Sequence, residues 1–303
     1  MQLHQLEYFV ALADVRHFGR AAQRCHIAQP SLSKQIRLLE KELGTSLVQR
    51  TRGNVQLTSA GASLYPHARR VLADVAAARD AVCEENELVR GRVRLGATPS
   101  TSSAVLPRSL ARFHSRYPGI QVELVESGSR DLLELLRSGG LDLAIVVLPL
   151  DRPDAILAAT PLLAEDLVLA VRHTHPLVAK NKVTVRDLHD LPMVMFRVGY
   201  DIRSVVLAAC RDKAVEPRIV VDGGEMDAVL RLASAGIGAA VVPEMVLERE
   251  PDLVGVPFTR PQLSRTIAVA YRSDTRLSPA AAQLRATIES DVAHDNHQRP
   301  LHK

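Results

Sequence analysis

Around Pro30 stand amide and hydroxyl side chains, and two cations follow within the next two turns: Gln29, Pro30, Ser31, Ser33, Lys34 and Arg37. Side chains of these types hydrogen-bond base edges and phosphates, and a helix carrying them at its N-terminal end can enter a DNA major groove. Such a helix needs an apolar back. Leu32, Ile36, Leu39 and Leu43 recur at spacings of four, three and four, which predicts one buried stripe with the polar set turned away from it. Pro30 suits a first helical turn, where its missing N–H costs nothing. Phe18, Ala21, Ala22 and Cys25 predict a preceding helix, and Leu3, Leu6, Phe9, Val10 and Ala13 an earlier one, together closing a three-helix core. Leu47 to Arg50 and Val55 to Leu57 then flank a Gly-Asn turn, the pattern of a two-stranded wing. Arg50 and Arg52 on that wing would lie over the DNA backbone or minor groove.

A second set of residues could bind a small molecule. Thr98, Ser100, Thr101 and Ser102 follow an apolar strand and open a helix, and Ser127 and Ser129 do the same one unit later. Hydroxyls and free N–H groups at a helix start favour a carboxylate or other anion, although Ser and Thr also serve there as ordinary caps. Phe196, Tyr200 and Glu225 are weaker candidates from a second half of the same kind. Those halves read as α/β. Strands are predicted at Val93 to Ala97, Val122 to Val125 and Leu143 to Val147, alternating with helices near Ser103 to Tyr117 and Asp131 to Ser138. The pattern repeats with strands at Pro192 to Phe196, Arg218 to Val221 and Ala239 to Val242, and helices at Ile202 to Lys213 and Met226 to Ala235. Ile267 to Tyr271 and an amphipathic helix from Pro279 to Val292 complete two lobes with a cleft between them.

From the cap Thr58 to about residue 88 the pattern is helical, with Leu64, Ala68, Val71, Val75, Ala78 and Val82 spaced as a heptad seam. A helix of that length reaches on the order of 45 Å, enough to pair two chains and hold two DNA readers apart; burial against its own chain is the other use of such a stripe. Pro66 predicts a looser turn within it. Charge follows the same division: residues 1–72 carry ten Lys or Arg against four Asp or Glu, whereas the whole chain of 303 residues has a net charge of only +4. A content of 47% apolar residues fits folded cores in about two or three domains. Three scattered cysteines fit neither a zinc site nor a disulfide framework, no N-terminal pattern marks a signal peptide, and no apolar run approaches the ~20 residues of a membrane span. A cytoplasmic protein without membrane partners is expected. Eleven histidines show no metal-ligand spacing, no nucleophile is paired with a base, and no phosphate loop follows a strand, so neither catalysis nor a cofactor is expected.

The first sixty residues resemble the LysR-type transcriptional regulators, in the Ala-Ala pair, the Gln-Pro-Ser-x-Ser turn, the Leu-Glu after it and the wing, with Val48 where the family usually has Phe. Leu95-Gly96 with its hydroxyl-rich turn, Tyr117-Pro118, Ser138 to Ile145, and Ala235 to Gly238 leading to Pro243 extend the likeness into the family's effector domain. The resemblance implies a winged helix-turn-helix over 1–58, a linker and dimerisation helix over 59–89, a two-lobed effector domain with the fold of periplasmic solute-binding proteins over 90–293, and a solvated tail over 294–303. It also implies a homodimer or homotetramer on an interrupted palindrome of double-stranded DNA, a small-molecule effector, and contact with RNA polymerase. A stand-alone solute receptor would share the lobes but lack the basic reader. The stretch from Leu6 to His26 is similar to the peroxide-sensing OxyR branch, but laid on that branch the reactive cysteine falls on Asp201 and its partner on Cys210. The OxyR disulfide therefore cannot form. Two signals stay open: a metabolite in the cleft, or oxidation of Cys25, which lies on the apolar stripe behind the reading helix between Arg24 and His26, where nearby positive charge lowers a thiol pKa.

Overall fold

A computed structural model describes residues 1–51, 54–82, 91–149 and 155–298. Arg52, Cys83 and the acidic stretch expected as a hinge lie outside the described residues, as do the side chains of Arg50 and Val82.

Three helices, α1 (Leu3–Val15), α2 (Phe18–Arg24) and α3 (Gln29–Leu43), pack around Phe9, Leu12, Ala21, Leu32, Ile36 and Leu39. Leu43, expected on the same stripe, is instead 41% exposed. It is the last residue of α3, and Gly44 at φ +69° reverses the chain there, beyond the edge of the core. Strands β1 (Val48–Thr51) and β2 (Asn54–Leu57) pair antiparallel, Val48 opposite Leu57 and Thr51 opposite Asn54. Glu40 of α3 fixes the wing to the reading helix, its Oε1 accepting from the N–H groups of Leu47 (2.8 Å) and Val48 (3.3 Å).

Thr58 caps α4 (Ser59–Val82), its Oγ1 accepting from Gly61 N–H at 3.0 Å. No side chain fits at Gly61, because a Cβ there would lie 2.0 Å from the Leu47 carbonyl oxygen. The helix runs through Pro66 as one element. Its expected seam divides. Ala68 is buried and Leu64 half-buried against the α1–α3 core, so these two are covered by their own chain and not free for a partner. Val71 and Ala78 are exposed and Val75 is half-buried.

The remaining chain forms two α/β lobes. In the first, β3 (Gly91–Ala97), β4 (Ile120–Glu126) and β5 (Leu143–Leu148) are parallel neighbours, and β11 (Ser264–Arg272) joins antiparallel to β5. Helices α5 (Pro99–Ala104), α6 (Leu106–Arg116) and α10 (Pro279–Gln298) cover one face and α7 (Ser129–Arg137) the other. Strand β5 accordingly buries Leu143 and Ile145 on one side and Ala144 and Val146 on the other, with no polar residue between. The second lobe holds β7 (Pro192–Phe196), β8 (Arg218–Gly224), β9 (Ala240–Pro243) and β10 (Leu253–Pro257), with α8 (Asp201–Asp212) and α9 (Met226–Ser234).

One strand belongs to both lobes. β6 (Leu157–Arg172) pairs with β11 up to Asp166, then from Leu167 onward with β9 and β10. The return passes through Leu263, whose carbonyl accepts from Leu167 N–H at 2.8 Å. The single helix expected near Ser103 to Tyr117 is two, α5 and α6, separated at Val105 just before Pro107. Residues 294–298, expected in a solvated tail, continue α10, and 299–303 lie outside the described residues.

Candidate functional site

Two regions gather the chemistry-bearing residues. On α3, Gln29, Pro30, Ser31, Lys34 and Arg37 are exposed and Ser33 is half-buried, opposite the buried Leu32, Ile36 and Leu39. Arg37 Nε donates to the Ser33 carbonyl at 3.3 Å, which lays the guanidinium along the same face. Pro30 sits in the first turn behind Ala28, as its fixed φ favours. α3 is held to α1 by Gln5, whose Nε2 donates to Gln35 Oε1 at 3.2 Å, and α2 starts with His17 Nδ1 accepting from Gly19 and Arg20 N–H.

The other region lies where the lobes meet. Glu165 and Arg265 are register partners on the two crossing strands, with Arg265 Nε 2.5 Å from Glu165 Oε1 and the second guanidinium arm donating to Ser100 Oγ at 2.7 Å. Ser100 and Thr101 are fully buried and Thr98 nearly so; Thr98 Oγ1 lies 3.0 Å from Thr101 Oγ1, which donates to the Thr98 carbonyl. These hydroxyls satisfy one another and Arg265. Ser102 is drawn away, donating to Pro99 O and to Glu126. Ser127 donates to Asp131 at 2.9 Å, and Ser129 reaches across to Asp201 of the second lobe. Phe196 is a correction: at 1% exposure it belongs to the core of the second lobe, where its ring stacks under Tyr200 with centroids 4.7 Å apart. The Tyr200 hydroxyl is buried beside Glu225, and burial, with the Glu225 carboxylate next, pushes its pKa up. Glu225 itself is exposed and ion-paired with Arg197. Sequence reasoning missed Glu165, Arg265 and Asp201 as site residues. A charge set in the apolar runs around residues 165 and 265 was the available signal.

A path joins this region to the reader. α4 packs on the first lobe through Arg70, which donates to Asp274 at 2.9 Å, and through Asp74, 3.6 Å from Arg272, whose Nε also holds Asp274. Gly139, at φ +67°, lets α4 approach; a Cβ there would meet Ala73 at 2.7 Å. On the α4 side nearer the reader, Tyr65 hydrogen-bonds Asp14 of α1, and Arg24 pairs with the same carboxylate at 3.2 Å.

Neither Cys25 nor Cys210 is activated. Burial pushes the half-buried Cys25 up, and although Arg24 pulls the other way, Glu7 adds to the rise; burial alone raises the pKa of Cys210. Arg24 thus acts in the direction expected of a flanking cation, but burial outweighs it and the net shift is upward. Among the described residues no group of three or more His, Cys, Asp or Glu could hold a metal ion, and no helix is long and apolar enough to cross a membrane.

Comparison with known proteins agrees with this architecture. Residues 3–62 match the bacterial regulatory helix-turn-helix protein, lysR family, and residues 86–293 the LysR substrate binding domain. The chain is 33% identical over 295 residues to a hydrogen peroxide-inducible genes activator of Pectobacterium carotovorum subsp. carotovorum, covering 96% of this chain and 97% of that protein. It is 32% identical over 293 residues to the DNA-binding transcriptional dual regulator OxyR of Escherichia coli K12, covering 96% and 95%. Full-length OxyR from Pseudomonas aeruginosa, solved with a cysteine-to-aspartate substitution, superimposes with a TM-score of 0.76 at 27% identity, over 96% of this chain and 97% of that one. Matched in both parts, the chain belongs to the LysR family of DNA-binding transcriptional regulators.

Proposed function

We propose that this regulator reads promoter DNA with Gln29, Pro30, Ser31, Ser33, Lys34 and Arg37 in the major groove and with Arg50 and Arg52 on the backbone or minor groove. The observation that carries this is the exposed polar face of α3 set opposite a fully buried apolar back. Two copies bind an interrupted palindrome as a homodimer or a pair of dimers, joined along α4 through Val71, Val75, Ala78 and Val82. Residues 1–58 serve as the reader, 59–89 as the linker and 90–293 as the effector part, in the cytoplasm and in contact with RNA polymerase.

The signal is a small molecule in the interlobe cleft, near Thr98, Ser100, Thr101, Ser129 and Tyr200. It biases how the lobes sit on α4 and thereby the angle between paired readers. The relatives named for peroxide induction suggest oxidation as the alternative, with Cys25 as the thiol. Against that route stand Asp201 at the place of the reactive cysteine and the raised pKa of Cys25. Footprinting on the DNA upstream of the protein's own gene, with and without peroxide, tests both. Protection of an interrupted palindrome that peroxide leaves unchanged is the expected result. Protection abolished by peroxide would overturn the cleft reading, and protection that Lys34→Ala and Arg37→Ala variants retain at wild-type strength would overturn the assigned reading face.

A further inference from the structure

The two walls of the cleft are already joined by a contact within the chain. Ser129, the first residue of α7, is 4% exposed; its Oγ accepts from Val147 N–H at 3.0 Å and donates to Asp201 Oδ2 at 2.8 Å. Asp201 is the first residue of α8, in the other lobe. One carboxylate thus serves the starts of two helices, where partial positive charge from both backbones favours an anion. The backbone is shaped for this approach. Gly128, the cap of α7, has no room for a side chain, because a Cβ would lie 2.9 Å from the Gly199 carbonyl oxygen, and Gly199 holds φ +92°.

The neighbouring charges are spent as well. Arg265 and Arg197, the cations that act on Tyr200, are ion-paired to Glu165 and Glu225. What remains unsatisfied is the second oxygen of Glu165, while the buried Tyr200 hydroxyl lies beside the Glu225 carboxylate.

Building on the proposed effector cleft, we infer that Asp201 is a built-in counter-ligand. Its carboxylate occupies the anion position between α7 and α8, latches the lobes together at rest, and restricts the cleft to a neutral or cationic effector. An effector bearing a carboxylate would face a tethered competitor at high effective concentration and the repulsion of a second negative charge. The acid-binding cleft expected from the hydroxyl-rich turns is therefore closed to acids by the chain itself.

Chemical rescue tests this on the full-length protein. Asp201→Gly should melt about 2–4 °C below wild type, in proportion to the loss of one charge-assisted contact. Sodium formate should restore at least half of that loss, sodium chloride at equal ionic strength should not, and wild type should be unmoved by formate. Ser129→Ala keeps the carboxylate in place, so it should melt lower and not respond to formate. If the glycine variant does not fold, Asp201→Ser, which keeps a side chain at the first residue of α8 but removes the charge, is measured in the same way. Stabilisation of wild type by formate to the extent seen in the variant would overturn the inference, as would a cooperative melt of the variant with no formate-specific recovery. Operator affinity measured on the same samples separates the two proposals. Recovery of melting with operator affinity unaltered by substitution and by formate would keep the latch and reject the cleft as the effector site.

Discussion

Arg265 and Glu165 face each other in register on the two strands that carry the chain between its lobes, Nε to Oε1 at 2.5 Å, with neither side chain more than 6% exposed. Removing one partner strands the other charge away from water. Arg265→Ala should therefore cost about 3–5 kcal/mol in urea denaturation, whereas Arg265→Met combined with Glu165→Leu should recover most of it, because replacing both ions removes both desolvation penalties. A single variant within experimental error of wild type would show that the pair is hydrated.

Asp187 gives a pH signature. Burial opposes its ionisation, but Lys180 and the backbone and hydroxyl of Thr184 outweigh that and hold its pKa at about 2, below the ordinary 3.8. A lowered carboxyl pKa stabilises the fold above the unfolded value, and the contribution fades as pH falls from 3.8 towards 2. Asp187→Ala should be less stable than wild type by about 1 kcal/mol at pH 6, as for the loss of a capping side chain. The gap should narrow through that window, and a constant gap would place the effect outside ionisation.

Lys34 and Arg37 separate two kinds of DNA contact. A phosphate contact, once removed, weakens all sequences alike and lowers the salt slope of binding by about 1, whereas a base contact relaxes preference at one position and costs about 1–3 kcal/mol there. Titrations of Lys34→Ala and Arg37→Ala against operator and scrambled duplexes at several salt concentrations assign each residue. Unaltered binding by both would remove them from the interface.

Cys25→Ser should bind operator as wild type does, and peroxide should affect the two equally, since burial keeps this thiol protonated. Loss of binding on peroxide treatment in wild type alone would make Cys25 the sensor.

Gly61 lies inside a helix, where alanine ordinarily gains about 1 kcal/mol. Here the 2.0 Å approach of a Cβ to the Leu47 carbonyl reverses the sign. Gly61→Ala should lose about 1–3 kcal/mol by overpacking, readable as a lower denaturant midpoint.

Local periodicity explains what could be read in advance. Leu32, Ile36 and Leu39 lie within two turns of one helix, so their spacing alone specifies a face. β5 was equally plain as an unbroken apolar run. β6 was not, because Pro161, at a bulge against β11, and the Glu165-Asp166 pair, where the strand changes sheet partners, interrupt its alternation. Glu165 and Arg265 meet across 100 residues, and Asp201 finds Ser129 across 72; no spacing within a helix or strand encodes such meetings. The seam of α4 misled in part because a heptad stripe looks the same whether its cover comes from a second chain or, as at Ala68, from its own α1.

That last cover sets where the protein can be cut. A fragment ending at Thr58 would strip Leu64, Tyr65, Ala68 and Leu72 from the wall of the reader and uncover the side of α1 that packs on α4. A fragment carried through Ala73 keeps the wall and leaves behind only the stretch that grips Arg272. The smallest separable DNA-binding piece is therefore a four-helix body, and the first half of the linker is part of its architecture.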